Sequence, residues 1–305
     1  MRLSASQLCE FGERGYVVVP SVIPPTAIET TTAAIDGLMA ADPPAPDYVG
    51  QHFYWIAGLH DSSASVDTTI ATERKGGDDA RASFMGMAAA AATARDAALA
   101  LYHDTPLEAL GTSLVAPGEL EIAFDQAQFA LTTPHFSHRP GRGHVDGCEY
   151  TADGTPGTFT FLIGVIMSDQ SLENTGNLWV WPGTHRMHAE FCRERGPEAL
   201  IMSGCYPDIE ITEPTQILGK PGDVVFAHYM LSHNTGGNYE GERLRKTVYY
   251  RIRRVGHSSR WRECVQDELL EFDPVRAVIQ KEAAKPEHRG TTNAASPRAG
   301  ANRHD

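Results

Sequence analysis

The chain has 305 residues, enough to bury a substantial core, and its 41% hydrophobic and 21% charged residues are those of an ordinary globular protein. A formal net charge of −13 leaves no basic excess to grip nucleic acid, so that partner class is disfavoured. No run reaches the roughly 18 apolar residues of a membrane span, the N-terminus has no apolar signal core, and five scattered cysteines (Cys9, Cys148, Cys192, Cys205, Cys264) read as reduced thiols, so a cytoplasmic protein is expected.

Ser4 or Ser6 caps a short predicted helix that runs to about Arg14, before Gly15 and the β-rich Tyr16-Val17-Val18-Val19. Pro24-Pro25 opens a second helix to about Met39, with Ile28, Ile35 and Leu38 on one face. A proline-rich loop fills 42–50. The aromatic cluster within 48–60 (Tyr48, His52, Phe53, Tyr54, Trp55) suits either a pocket wall or a core. Gly76-Gly77-Asp78-Asp79 marks a break, residues 80–103 are alanine-rich and predict a helix, and another helix is expected at 106–114.

From about 119 to 254 the texture changes to short β-like runs between Gly, Pro and Asn. Candidate strands lie at 120–124, 126–132, 143–146, 158–168, 177–181, 208–218, 223–228 and 245–254. Many short strands with turn signals predict a sandwich or jelly roll. Residues 260–283 then read as a helix with Trp261, Val265, Leu269 and Leu270 along one stripe. The polar stretch 285–305 is expected to be disordered, leaving residues 1–284 as one domain.

Two short motifs carry the chemistry. In a strand, His144 and Asp146 of Gly-His-Val-Asp-Gly project from one face, because side chains alternate with period two. A third donor from a distant strand completes a two-histidine, one-carboxylate set that leaves the opposite face of a ferrous ion open. His233 is one candidate, preceded by the Pro221-Gly222-Asp223 turn and followed twelve positions on by Arg245; His228, after the same turn, is the other. His135 and His138 sit in a proline-flanked loop and read as surface residues, with no partners at zinc spacing. His185 and His188, after Pro182-Gly183, read as structural, and Cys148 as a small buried hydrophobe.

Taken together, these residues resemble the phytanoyl-CoA dioxygenase family of Fe(II)/2-oxoglutarate oxygenases. Phe11-Gly12-Glu13-Arg14-Gly15-Tyr16 looks like its helix–strand entry, His144-Val145-Asp146 like its His-x-Asp, and Gly176-Asn177-Leu178 through Pro182-Gly183-Thr184-His185 like its Asn-Gly-x-Leu…Pro-Gly-Ser/Thr-His segment. His233-Asn234-Thr235-Gly236 resembles its distal-histidine region, and the resemblance covers about 8–254. It implies a mainly β, cupin-like double-stranded β-helix with flanking N- and C-terminal helices, and His144, Asp146 and His233 as ligands of Fe(II).

The resemblance also implies 2-oxoglutarate and O2 as co-substrates, with succinate and CO2 released as a C–H bond is oxidised. The family's arginine for the far carboxylate falls between Arg243 and Arg245, ten and twelve residues beyond His233. Arg245 is preferred because Arg-Lys-Thr-Val-Tyr-Tyr-Arg continues as the family's last strand does; an arginine fork matches a carboxylate that lysine cannot hold in the same way. Thr235 and Gln128 match positions near the co-substrate. Since Asp146 is present, where related halogenases carry a small residue, hydroxylation of a small organic molecule, a specialised metabolite or an acyl-type substrate, is expected. The substrate pocket is expected between 48–60 and the 134–142 loop. The competing readings are a jelly-roll binding module without turnover and a cupin-like metalloenzyme that does not use 2-oxoglutarate.

Overall fold

The computed structural model describes residues 1–57, 70–75, 81–85, 89–121, 126–150 and 154–284. The tail at 285–305, the break at 76–79 and residues 122–124 of the first expected core strand lie outside the described residues.

Helix α1 (Ala5–Arg14) starts in a capping box: the Gln7 amide donates to Ser4 Oγ at 3.3 Å and the Ser4 amide donates to Gln7 Oε1 at 2.8 Å. It stops at Gly15, whose left-handed φ of 81° turns the chain into strand β1 (Tyr16–Val19). Helix α2 (Pro25–Ala41) buries Ile35 and Leu38 and packs on α3 (Ala89–His103). The expected helix from 80 begins only at Ala89. Between the two helices the chain forms strands β2 (Gln51–Ala57), β3 (Ile70–Lys75) and β4 (Arg81–Met85), and Arg81–Met85 pairs with β3 instead of extending the helix. Edge pairing outweighs local propensity there. Helix α4 (Leu107–Val115) follows as expected.

The central part contains β5 (Gln126–Thr132), a one-residue bridge at His144, β6 (Phe161–Ile166), β7 (Leu178–Val180), β8 (Thr215–Gln216), β9 (Val224–His228), β10 (His233–Thr235) and β11 (Arg245–Ile252). The large antiparallel sheet runs β1-β9-β6-β11-β5-β2-β3-β4 and the small one β10-β7-β8, with His144 bridging to His233 on the open edge. In chain order from β5, the eight segments therefore fall large, small, large, small, small, large, small, large. That alternation is a double-stranded β-helix, the jelly roll expected from the sequence.

Period two sorts the side chains of β11. Val248, Tyr250 and Ile252 join the core under the helices, whereas Tyr249 belongs to the core between the sheets with Val145, Leu162, Leu178 and Val180. The expected helix at 260–283 is two: α7 (His257–Cys264) and α8 (Asp273–Ala283). Asp267 breaks it, accepting from the Leu269 amide at 3.1 Å, and Phe272 turns inward against Phe11 with ring centroids 5.1 Å apart.

The cysteine reading also needs correction. Cys148 and Cys205 form a disulfide with Cα atoms 5.6 Å apart, leaving Cys9, Cys192 and Cys264 as thiols. The fold brings them together because the Val145 amide donates to the Cys205 carbonyl at 3.1 Å, a pairing that 57 residues of separation hide in the sequence.

Candidate metal centre and its two chambers

His144 and His233 face each other across the mouth of the jelly roll, exchanging backbone hydrogen bonds of 3.0 Å in both directions. Their rings stand 4.8 Å apart. Asp146 lies two residues on from His144, on the same side. Just beyond it, Gly147 adopts φ 75°, and a Cβ there would stand 2.3 Å from the Gly157 carbonyl oxygen, so glycine is needed to turn the chain beside Asp146.

One donor atom from each of the three residues lies within 4.8 Å of the others. Asp146 Oδ1 is 3.3 Å from His144 Nε2, and Oδ2 is 3.6 Å from His233 Nε2. Donors about 2.1 Å from a shared ion and near right angles to one another sit about 3 Å apart, so the spacing fits a first-row metal. His233 Nδ1 donates to the Leu231 carbonyl at 3.0 Å, which leaves Nε2 for the ion. His228 points elsewhere: its Nε2 meets the Glu268 carbonyl at 2.8 Å and its Nδ1 accepts from the Met230 amide at 2.9 Å.

Burial would raise the Asp146 carboxyl, but Arg251, His233 and His144 outweigh it and hold the group well below the usual range. Burial would likewise depress His233, yet the Asp146 charge and hydrogen bond raise it. Asp146 is therefore held as a carboxylate, and its charge favours a proton on His233 until a metal ion takes that proton's place.

Two cavities meet at this point and share Trp55, His144, Asp146 and Arg251. The smaller, about 160 Å³, runs between the sheets past Gln51, Gln128, Thr235 and Tyr249. The larger, about 770 Å³, opens between Phe159, Tyr206 and the Cys148–Cys205 disulfide. Gln128 and Thr235 thus line the smaller chamber. Arg245 lies behind it, 2% exposed, donating to Tyr249 Oη at 2.8 Å, Gln170 Oε1 at 3.3 Å and the Ala130 carbonyl at 3.3 Å. Among the described residues it makes no ion pair. Gly176 makes room for it, since a Cβ there would sit 2.7 Å from Arg245 Cγ. Arg243 is exposed on the outer surface.

The aromatic segment at 48–57 splits by strand parity: Phe53 and Trp55 face the chamber, while Tyr54 is buried in the opposite core. No residue of the 134–142 loop lines either cavity; Arg142 instead donates to the Pro207 carbonyl. Gln51, Tyr249 and Arg251 were not singled out from the sequence. Counting by twos from Arg245 along β11 reaches Tyr249 and Arg251, and counting back from Phe53 reaches Gln51.

A second group, His257, Cys264 and Glu271, also has its donors within 4.8 Å of one another, but is fully buried and closed on itself. His257 Nδ1 is 2.7 Å from Glu271 Oε2, its Nε2 is 3.0 Å from Thr158 Oγ1, and Thr160 Oγ1 donates to Glu271 at 2.9 Å. It ties α7 to the sheet.

No curated protein matches the sequence. Among solved structures, the chain is similar to the non-heme alpha-ketoglutarate-dependent carbocyclase SnoK from nogalamycin biosynthesis, with 15% identity, 82% of this chain and 83% of that one covered, and a TM-score of 0.49. It is similar to HygX from Streptomyces hygroscopicus, solved with nickel and 2-oxoglutarate, at 19% identity, 83% and 87% coverage and a TM-score of 0.47. EctD from S. alaskensis, solved with 2-oxoglutarate and 5-hydroxyectoine, gives 17%, 82% and 76%, and 0.47. The family description phytanoyl-CoA dioxygenase (PhyH) matches residues 11–246, which include all three donor residues and Arg245. The chain belongs to the phytanoyl-CoA dioxygenase family.

Proposed function

We propose that this protein is an Fe(II)- and 2-oxoglutarate-dependent oxygenase that hydroxylates a C–H bond of a small organic molecule. The observation that carries the reading is the convergence of His144, Asp146 and His233 at the junction of two chambers. When bound, the ferrous ion and 2-oxoglutarate supply the oxidising chemistry, consuming O2 and releasing succinate and CO2.

His144, Asp146 and His233 would hold the ion, and with both imidazoles neutral their combined charge of −1 would lower its field without neutralising it. The smaller chamber suits the co-substrate. Arg245 is the reason: a buried guanidinium bonded only to neutral oxygens is costly until an anion joins it, and the far carboxylate of 2-oxoglutarate is such an anion. Tyr249, hydrogen-bonded to Arg245, and Thr235 place hydroxyls along the chamber, and Gln128 an amide. Leu162, Leu178 and Phe53 exclude water from its walls.

The larger chamber suits the molecule to be oxidised. Trp55, Phe159 and Tyr206 offer it ring faces beside the metal donors. Asp146 occupies the position that a halogenase would leave vacant for chloride, which favours hydroxylation.

Succinate release from the iron-loaded protein with 2-oxoglutarate under air, with and without candidate substrates, tests the reading. Succinate that depends on both iron and His233 supports it. A chain that binds metal but never consumes the keto acid would belong to the cupin-like or non-catalytic alternatives.

A further inference from the structure

Arg251 has a place in the centre that the donor set alone does not explain. It leaves β11 on the same face as Arg245 and Tyr249, and its Nη2 donates to Asp146 Oδ2 at 2.9 Å. The guanidinium carbon lies 5.7 Å from the centre of the Trp55 ring and 5.5 Å from that of Phe159, so two aromatic rings flank it. The residue lines both chambers and is shared between them.

A carboxylate beside a metal can bind through one oxygen or through both. Binding through both consumes a further coordination position, and an oxygenase of this kind needs three positions open. Asp146 has one oxygen already committed to a fixed, charged donor. Withdrawing Oδ2 from Arg251 would strand a partly buried guanidinium, a cost that chelation by both oxygens has to overcome.

We propose that Arg251 is a positioning residue that holds Asp146 to one-oxygen ligation and so reserves a metal position for the co-substrate. The inference rests on the proposed metal centre and deepens it. Arg251 acts through Asp146, not by touching the reacting atoms. Trp55 and Phe159 take part by preventing the guanidinium from rotating away. The role differs from that of Arg245, which lies behind Tyr249 and faces the far end of the chamber.

The two modes of action that Arg251 could have are separable by choice of chelator. 2-Oxoglutarate carries a carboxylate that an arginine could hold directly; 2,2′-bipyridine is a neutral bidentate chelator that offers an arginine nothing. Titration calorimetry on the nickel-loaded protein measures both, alongside the affinity for nickel itself. In Arg251→Gln, both chelators are expected to bind about tenfold more weakly while nickel binds at least as tightly as in the native chain. In Arg251→Lys, which keeps a single charged donor for Oδ2, both chelators should stay within about threefold of the native values.

Weakening of 2-oxoglutarate alone overturns the proposal, because it makes Arg251 a direct carboxylate partner. Loss of nickel affinity together with the chelators also overturns it, since that marks a merely structural role. Should Arg251→Gln fail to fold, a folded Arg251→Lys variant that loses tenfold for both chelators is contrary to the proposal and native-like binding supports it. A native chain that binds nickel and bipyridine but no 2-oxoglutarate would overturn the co-substrate assignment and leave the bipyridine comparison to decide the role of Arg251.

Discussion

Arg245 and Tyr249, four residues apart on one face of β11, are joined by a 2.8 Å hydrogen bond that links a buried cation to the wall of the smaller chamber. Neither residue has a carboxylate beside it among the described residues. On the proposed function the pair would receive an anion's far end; the other face of its strand is pinned in the helix-covered core.

Arg245→Ala should therefore raise the 2-oxoglutarate KM by roughly 10- to 100-fold, the worth of one or two charge-assisted hydrogen bonds. Arg243→Ala, at an exposed site, should change it by less than about twofold. Steady-state succinate assays at varied 2-oxoglutarate give both numbers, and the opposite ranking would move the role to Arg243.

Metal affinity should fall with acidity in a direction set by His233. Its raised pKa means a proton competes with the ion in mildly acidic solution, whereas Asp146, held well below the usual range, stays ionised. Nickel affinity is expected to be flat at alkaline pH and to drop about tenfold per unit below the His233 value. In the metal-free chain, the charged His233–Asp146 pair adds stability that is present below the ordinary histidine range and lost as pH rises through the raised value. Nickel affinity independent of pH across the histidine range would exclude His233 as a donor.

Three other histidines work in the opposite sense. Burial pushes His188 and His228 down to about 4, and His185 well below its ordinary value. Their contribution to stability is present above the unfolded histidine value and is lost as pH falls through the depressed folded ones. Between about pH 6 and 4, unfolding should take up roughly two to three protons through these residues. Urea unfolding at a series of pH values measures that uptake, and a midpoint that stays constant over the range would mean the three imidazoles are charged in the folded state.

The disulfide makes a separate prediction. Denatured without reductant, the protein should show three titratable thiols, and five after reduction. Replacing Cys148 with Ser should lower stability by roughly 2–4 kcal/mol, the usual effect of opening a loop of this length. Five thiols without reductant would restore the reduced reading of the sequence.

Legibility from sequence followed the range over which each constraint acts. The same-side placement of His144 and Asp146 is legible because it is local, although only His144 pairs with a neighbouring strand, and the jelly roll because its strands are short and punctuated by turns. The three strands at 51–57, 70–75 and 81–85 were not, because their pairing with β5 and with one another is a tertiary choice that overrides an alanine-rich, helix-favouring composition nearby. Arg251 is hidden in the sequence for a related reason. Nothing in Tyr-Arg-Ile marks it until Asp146, 105 residues earlier, is folded against it. The Cys148–Cys205 pairing is long-range in the same way.

On the proposed function one ion is held by His144, Asp146 and His233, with 2-oxoglutarate alongside. Anomalous diffraction from crystals grown with nickel and 2-oxoglutarate tests it most directly. A single strong peak is expected within bonding distance of His144 Nε2, His233 Nε2 and one carboxylate oxygen of Asp146, with the keto acid extending towards Arg245. A peak at His257, Cys264 and Glu271, or a keto acid lying in the larger chamber away from Arg245, would contradict it.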